Sequence, residues 1–193
     1  MKRSIVVFSL MAMSGLAFAD GFNYTYVEAN YGTVDVDTLV VDGDGLGVNG
    51  SYGITDDLNI VGRARAADFD ALGDSRDWSV GLGVHTSITD LMDITASVSY
   101  LDREFEPLIG PAFEDDGFEL AVGIRANVLG KIEVNAAITY VDLSTAGDDT
   151  GFSGSALYNF NDTFSVGLSG KWEETLGADT ATYALSGRMY FGN

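Results

Sequence analysis

No cysteine occurs at any of the 193 positions. That excludes a disulfide framework, thiol chemistry and any thiolate metal site. Proline is almost as scarce. Pro107 and Pro111 are the whole complement, and both fall in a stretch that reads as a loop, where no ladder hydrogen bond is lost. Positive charge is short as well: 10 Lys and Arg stand against 29 Asp and Glu, a net charge of −19 at pH 7. So acidic a chain has no electrostatic case for binding nucleic acid. Past the first 19 residues there is no sustained 3.6-residue periodicity, and no apolar run approaches the length of a transmembrane helix.

What is present begins with a leader. Lys2 and Arg3 give a basic start, Ile5 to Met13 is mostly apolar, and Ala17-Phe18-Ala19 offers a small-x-small cleavage site. This predicts a secretory signal peptide over 1–19 with cleavage near Ala19, leaving one domain over 20–193. Without Lys2 and Arg3 the net charge becomes −21.

The rest of the chain alternates with a period of two. Ten alternating segments are expected as strands, near 22–33, 45–54, 58–67, 77–88, 93–101, 117–128, 132–141, 151–160, 164–173 and 181–191. Most have about the 9–11 residues that a tilted strand needs to cross a bilayer. Tight turns are expected near 55–57, 89–92, 129–131 and 161–163, and longer polar loops near 34–44, 68–76, 102–116, 142–150 and 174–180. Three turns echo one another: Ile54-Thr55-Asp56-Asp57-Leu58, Ile88-Thr89-Asp90-Leu91 and Phe160-Asn161-Asp162-Thr163-Phe164. The repeating unit is a hairpin, as in a meander.

One face of each segment is apolar, and its aromatic residues gather at the ends. Tyr31, Trp78, Tyr100, Phe118, Tyr140, Phe152, Trp172 and Tyr183 lie at the long-loop ends; Tyr52, Tyr158, Phe160, Phe164 and Phe191 lie near the turns. Two aromatic girdles around an aliphatic band suit the two interfaces of a membrane. The other face carries Glu28, Arg63, Arg65, Asp77, His85, Glu119, Arg125, Glu133, Lys171, Glu173 and Arg188 among Gly, Ser, Thr, Asn and Ala. A secreted β-sandwich also alternates, so parity alone leaves open which face is inside. The small residues of the polar face and the two girdles favour an all-β, antiparallel up-and-down transmembrane barrel of about ten strands.

The mature chain resembles the small outer-membrane barrels of Gram-negative bacteria, of OmpA/OmpX-like and opacity or porin-family type. More narrowly it is similar to a family of small secreted barrels named for activating plant immunity. The likeness lies in Tyr26-Val27-Glu28-Ala29, in Asp44-Gly45-Leu46-Gly47-Val48-Asn49-Gly50-Ser51, and in Val80-Gly81-Leu82-Gly83 running into Ile88-Thr89-Asp90-Leu91. The last segment adds to it: Tyr183, Leu185, Gly187, Met189 and Phe191 alternate with Ala184, Ser186, Arg188 and Tyr190, and outer-membrane barrels commonly end on such a strand. The resemblance implies the cell outer membrane, contact with its lipid and lipopolysaccharide, delivery to the barrel-assembly machinery through the C-terminal strand, and roles in surface contact, adhesion or envelope integrity. It brings no catalytic residues. Barrels of OmpX type have eight strands, which keeps eight as the alternative count.

The polar face predicts a lumen in which five acids (Glu28, Asp77, Glu119, Glu133, Glu173) meet five bases (Arg63, Arg65, Arg125, Lys171, Arg188). Inside a narrow barrel such charges must pair, so a salt-bridged plug is expected, with a narrow channel lined by the same charges as the alternative. His85, the lone histidine, faces inward near a tight turn and reads as a hydrogen-bonded lumen residue, not a catalyst. The loops hold most of the acid. Asp35, Asp37, Asp42, Asp44, Glu114, Asp115 and Asp116 are hard oxygen ligands suited to Ca²⁺ or Mg²⁺ that would bridge to lipopolysaccharide phosphates; plain solubility is the simpler reading of them. The sequence therefore predicts a non-catalytic outer-membrane barrel acting through its acidic loops in surface interaction or envelope integrity, or alternatively a narrow passive porin-like channel for small solutes or cations. It names no cofactor and no surface partner.

Overall fold

The computed structural model describes residues 22–36, 41–70, 72–175 and 178–191; the expected leader over 1–19, Asp37 and the last two residues lie outside the described residues. Ten strands follow one another: β1 (Tyr26–Val36), β2 (Val41–Gly53), β3 (Leu58–Phe69), β4 (Gly73–Thr89), β5 (Met92–Pro107), β6 (Phe113–Asn127), β7 (Ile132–Leu143), β8 (Gly147–Asn159), β9 (Phe164–Thr175) and β10 (Ala178–Tyr190). Each pairs antiparallel with its neighbours in sequence, and β1 closes on β10 from Tyr26↔Tyr190 to Val36↔Thr180, so the sheet is a closed barrel of ten strands, not eight. One sheet closed on itself leaves no free edge, and the described residues form no second sheet for a sandwich.

The parity resolves which face is inside. Val98 is 51 % exposed on the outer wall and Leu168 65 %, whereas the inward Ser99, Arg125 and Glu133 are buried. Apolar side chains stand outside and polar ones inside, the reverse of a water-soluble domain and the arrangement a lipid-embedded barrel requires. The girdle residues named above lie on the outer wall, where seven of the eight at the upper ring fall into three contact groups. Trp78 meets Tyr100 at 5.5 Å, Phe118 meets Tyr140 at 6.5 Å, Phe152 meets Trp172 at 6.0 Å, and Trp172 meets Tyr183 at 5.8 Å.

The expected long loops are not loops. Among the described residues the strands continue through most of each stretch where the sequence predicted a loop, and the widest described connection at that end, 108–112, has five residues. The alternation does not stop at the girdle; its sense inverts. Above the aromatic ring the outward positions become Asp and Glu while the inward ones become apolar: Val36, Phe69, Leu101, Val141 and Leu143 are all buried inside the barrel. A strand above the bilayer meets water on its outer face, so it follows the soluble rule, with its apolar residues turned inward. Gly117 shows how closely this extension packs. It sits on one rung between Leu101 and Leu143, and a Cβ there would collide with the Asp142 carbonyl, so glycine lets the two leucines meet over it.

Candidate functional site: the lumen

Below, "lower" is the end where both ends of the described chain lie and "upper" the opposite end. In the lower half Glu133 on β7 gathers three partners. Arg125 Nη2 donates to its Oε2 at 2.8 Å, Arg188 Nη1 to its Oε1 at 3.0 Å, and the Tyr190 hydroxyl to Oε2 at 3.2 Å. Arg188 Nε also donates to Glu28 Oε2 at 2.9 Å, and Asn49 holds the other Glu28 oxygen. Because Arg188 is on β10 and Glu133 on β7, this tier spans the lumen.

Residues before the first strand complete it. The expected start at 22 gives way to a strand that begins at Tyr26, because Phe22, Asn23 and Tyr24 turn into the barrel mouth. Arg125 stacks between the rings of Phe22 and Tyr24, each 4.7 Å from its guanidinium carbon, and donates to the Asn23 carbonyl at 3.0 Å; cation–π contacts are strongest when desolvated in this way. Tyr24 lies flat on His85 with ring centroids 3.5 Å apart and donates to Asp93 Oδ2 at 2.8 Å. Burial pushes the Tyr24 phenol above its ordinary range, against the pull of Arg125 and with the help of Asp93.

A second tier crosses the upper half. Arg63 on β3 grips Glu119 on β6 with two parallel bonds of 3.2 and 3.1 Å. Arg65 donates to Asp77 at 2.9 Å. Glu173 on β9 receives Lys171 at 2.6 Å and Arg103, from β5 across the barrel, at 3.4 Å. Four cations here face three carboxylates (Asp77, Glu119, Glu173), while below two cations face Glu28, Glu133 and Asp93. With the inward Asp115 and Asp149 above the second tier added, the described lumen charges carry an excess of acid.

All ten charged lumen residues expected from the sequence point inward. Two members were missed. Arg103 was assigned to an outer loop, yet it shares the odd parity of Ser97 and Ser99 in β5, as does the buried Asp93. That parity was the available signal. Nothing in the sequence marked Phe22, Asn23 and Tyr24 as a stopper.

Above the second tier the lumen opens into a vestibule of about 200 Å³. Val34, Phe69, Phe105, Phe113, Val141 and Leu143 form its collar, and Arg65, Asp77, Arg103 and Glu173 its floor.

The expected divalent-cation residues do not come together. Glu114 and Asp116 point outward, while Asp115 points in and is buried, accepting the backbone N–H groups of Thr145 at 3.0 Å and Ala146 at 2.8 Å. Asp35 and Asp42 face each other across β1 and β2, and Asp44 is opposite Asp68 on the next pair. Among the described residues no group of three or more acidic or histidine side chains is arranged to hold a metal ion. The alternation of the strands is the reason: it sends sequence neighbours to opposite faces.

No family model and no curated protein sequence matches the chain. Among solved structures it is similar to the KdgM porin in complex with disordered oligogalacturonate, at 12 % identity over 86 % of this chain and 99 % of that one, with a TM-score of 0.47. It is similar to the NanC porin at 10 % identity over 86 % and 98 %, TM-score 0.46, and to the CymD monoaromatic hydrocarbon channel at 13 % identity over 83 % and 56 %, TM-score 0.43. At such identities no solute or partner passes from those proteins to this chain.

Proposed function

We propose that this protein is a bacterial outer-membrane barrel that admits small solutes, porin-like in architecture, with a lumen closed at rest by side chains. An apolar band between two aromatic girdles on the outer wall supports the membrane location. The observation that carries the reading is the nature of the closure. Upper connections of at most five residues are too short to fold inward, and no described helix fills the barrel. What blocks the lumen is two tiers of ion pairs and the residues 22–24. The ion-paired side chains can part where they stand, and the segment 22–24 is held to the lower tier by its contacts with Arg125, His85 and Asp93. The reading includes no catalytic step: the single histidine is covered by the Tyr24 ring.

Planar-bilayer recording tests it. The unmutated protein should give brief, small currents that prefer cations, because the outer carboxylates raise cation concentration at the mouth. Arg125→Ala removes the group that joins Glu133 to the stopper and should raise the open fraction at least tenfold. Silence from both proteins would overturn the conduit.

Surface contact is the second reading, and one observation favours it. Carboxylates stand opposite one another on outward rungs above the girdle: Asp35↔Asp42, Asp44↔Asp68, Asp68↔Asp74, Asp102↔Asp116, Glu104↔Glu114 and Asp142↔Asp148. Like charges placed directly opposite destabilise a sheet, so an acidic outer face held at that cost suits a partner that is basic or a surface from which the barrel must stand clear.

A further inference from the structure

One interstrand pairing stops short. β8 and β9 pair only from Asn159↔Ser165 up to Phe152↔Trp172. Above that rung β8 continues to Gly147 and β9 to Thr175, and among the described residues their ladder partners there lie on β7 and β10 respectively. Three other strand pairs that meet at the upper end without sharing a hairpin there run much further, β2 with β3 to Gly43↔Phe69, β4 with β5 to Gly73↔Pro107, and β10 with β1 to Val36↔Thr180, while β6 with β7 reaches Gly117↔Leu143, the last residue of β7. The split opens above this last rung at the girdle, where the Phe152 and Trp172 rings are stacked on the outer wall.

An open, shallow depression lies at the split. It is lined from the outer face by Ile138, Phe152 and Trp172, and from the inner face by Asp149, Glu173 and Thr180. Those last three also line the vestibule, so the depression and the vestibule abut through a common wall. We propose that the vestibule binds a neutral, apolar small molecule, which exchanges sideways with the outer boundary of the lipid through the β8–β9 split and does not cross the lumen. The proposal goes beyond conduction and does not depend on it.

The chemistry selects the class. The collar of Val34, Phe105, Phe113 and Leu143 offers a body of apolar surface, the usual lining of a small-molecule site. The threshold carries Asp149, the vestibule wall carries Asp115, and the outer wall around them is acidic, so an anion is repelled on approach. A cation would have to leave water for the apolar layer beside Trp172, at the desolvation cost that keeps unpaired charge out of such a layer.

N-phenyl-1-naphthylamine is a suitable probe, being neutral, apolar and an acceptor for tryptophan emission; Trp172 lies at the split. In proteoliposomes, titration should quench tryptophan emission saturably, above the linear partition seen with protein-free vesicles. The anionic relative 1-anilinonaphthalene-8-sulfonate should show no saturable part. Phe105→Arg, or Val34→Lys if the first fails the heat-modifiable mobility test for folding, should abolish saturation. Ala181→Phe, with Ile138→Phe as the second choice, narrows the split without touching the vestibule. It should leave the equilibrium titration unchanged and slow loading from lipid at least tenfold in stopped flow. Linear quenching equal in wild type and Phe105→Arg would overturn the site; equal saturation by the anionic probe would overturn the ligand class; unchanged loading in both split variants would overturn the lateral route. Each of these can occur whether or not the barrel conducts ions.

Discussion

Ser97 and Val98 are neighbours in β5, yet the wall of the barrel stands between their side chains. Ser97 faces Gly83 and Ala121 across its rungs on the inside, and Val98 is half exposed on the outside between Leu82 and Leu120. Arginine at Val98 would put a charge against lipid, which costs about 2–4 kcal/mol near the midplane. Arginine at Ser97 enters a lumen that already holds guanidinium groups, beside two residues too small to obstruct it. We expect Val98→Arg to lower folding yield in liposomes well below that of Ser97→Arg. Equal yields, or the reverse order, would contradict the membrane reading of the outer wall. Arg125 shows the same logic from within. Buried and flanked by two rings, it is tolerated only because Glu133 and the Asn23 carbonyl receive its N–H groups; unpaired, a charge in that place costs several kcal/mol.

At the scale of the strand, the unexpected feature is length. β4 and β5 run for 17 and 16 residues, well beyond the roughly ten needed to cross a bilayer. Thermolysin should therefore cut the region 102–116 only within the short connection, beside the exposed Leu108 and Ile109, and leave 102–106 and 113–116 intact. Cuts scattered through 102–106 would mean a loop after all. Ten strands and their inward parity were legible in the sequence because period-two alternation depends on local geometry alone. The extensions were not, although the signal was present: Leu101, Arg103 and Phe105 keep the beat of Ser97 and Ser99 while Asp102, Glu104 and Glu106 keep that of Val98 and Tyr100. Reading acid as loop broke an alternation that never stops, and it carried Arg103 out of the lumen with it. The pairing of particular charges lay beyond reach for another reason. Arg63 meets Glu119 across the barrel, and such a contact depends on tilt and closure, which no stretch of sequence specifies.

For the whole molecule, two sets of charges pull in opposite directions when salt is added. The lumen pairs are shielded from solvent, whereas the outward carboxylates oppose one another in water with Arg76 as one of few counterweights, 3.8 Å from Glu104 and 3.6 Å from Glu106. Screening acts on exposed charges first, and the Debye length falls from about 30 Å at 0.01 M to about 10 Å at 0.1 M. The urea midpoint of unfolding in neutral detergent should rise over that interval and then level. A fall would mean that the ion pairs inside dominate and are open to solvent ions.

The β1–β10 seam joins positions at opposite ends of the domain along eleven rungs. Contacts of such sequence separation form last, since the loop they close is the whole chain. The stopper is tied to the same seam: the Phe191 amide donates to the Thr25 carbonyl at 2.9 Å, and the Asn23 side-chain amide donates to the Phe191 carbonyl at 3.0 Å. Zipping β1 to β10 thus draws Phe22 and Tyr24 onto Arg125 in the same step. We expect the open sheet to pass directly to a sealed vessel, so that refolding into dye-loaded liposomes releases no dye between strand closure and the native state; a burst of release at that stage would contradict the coupling.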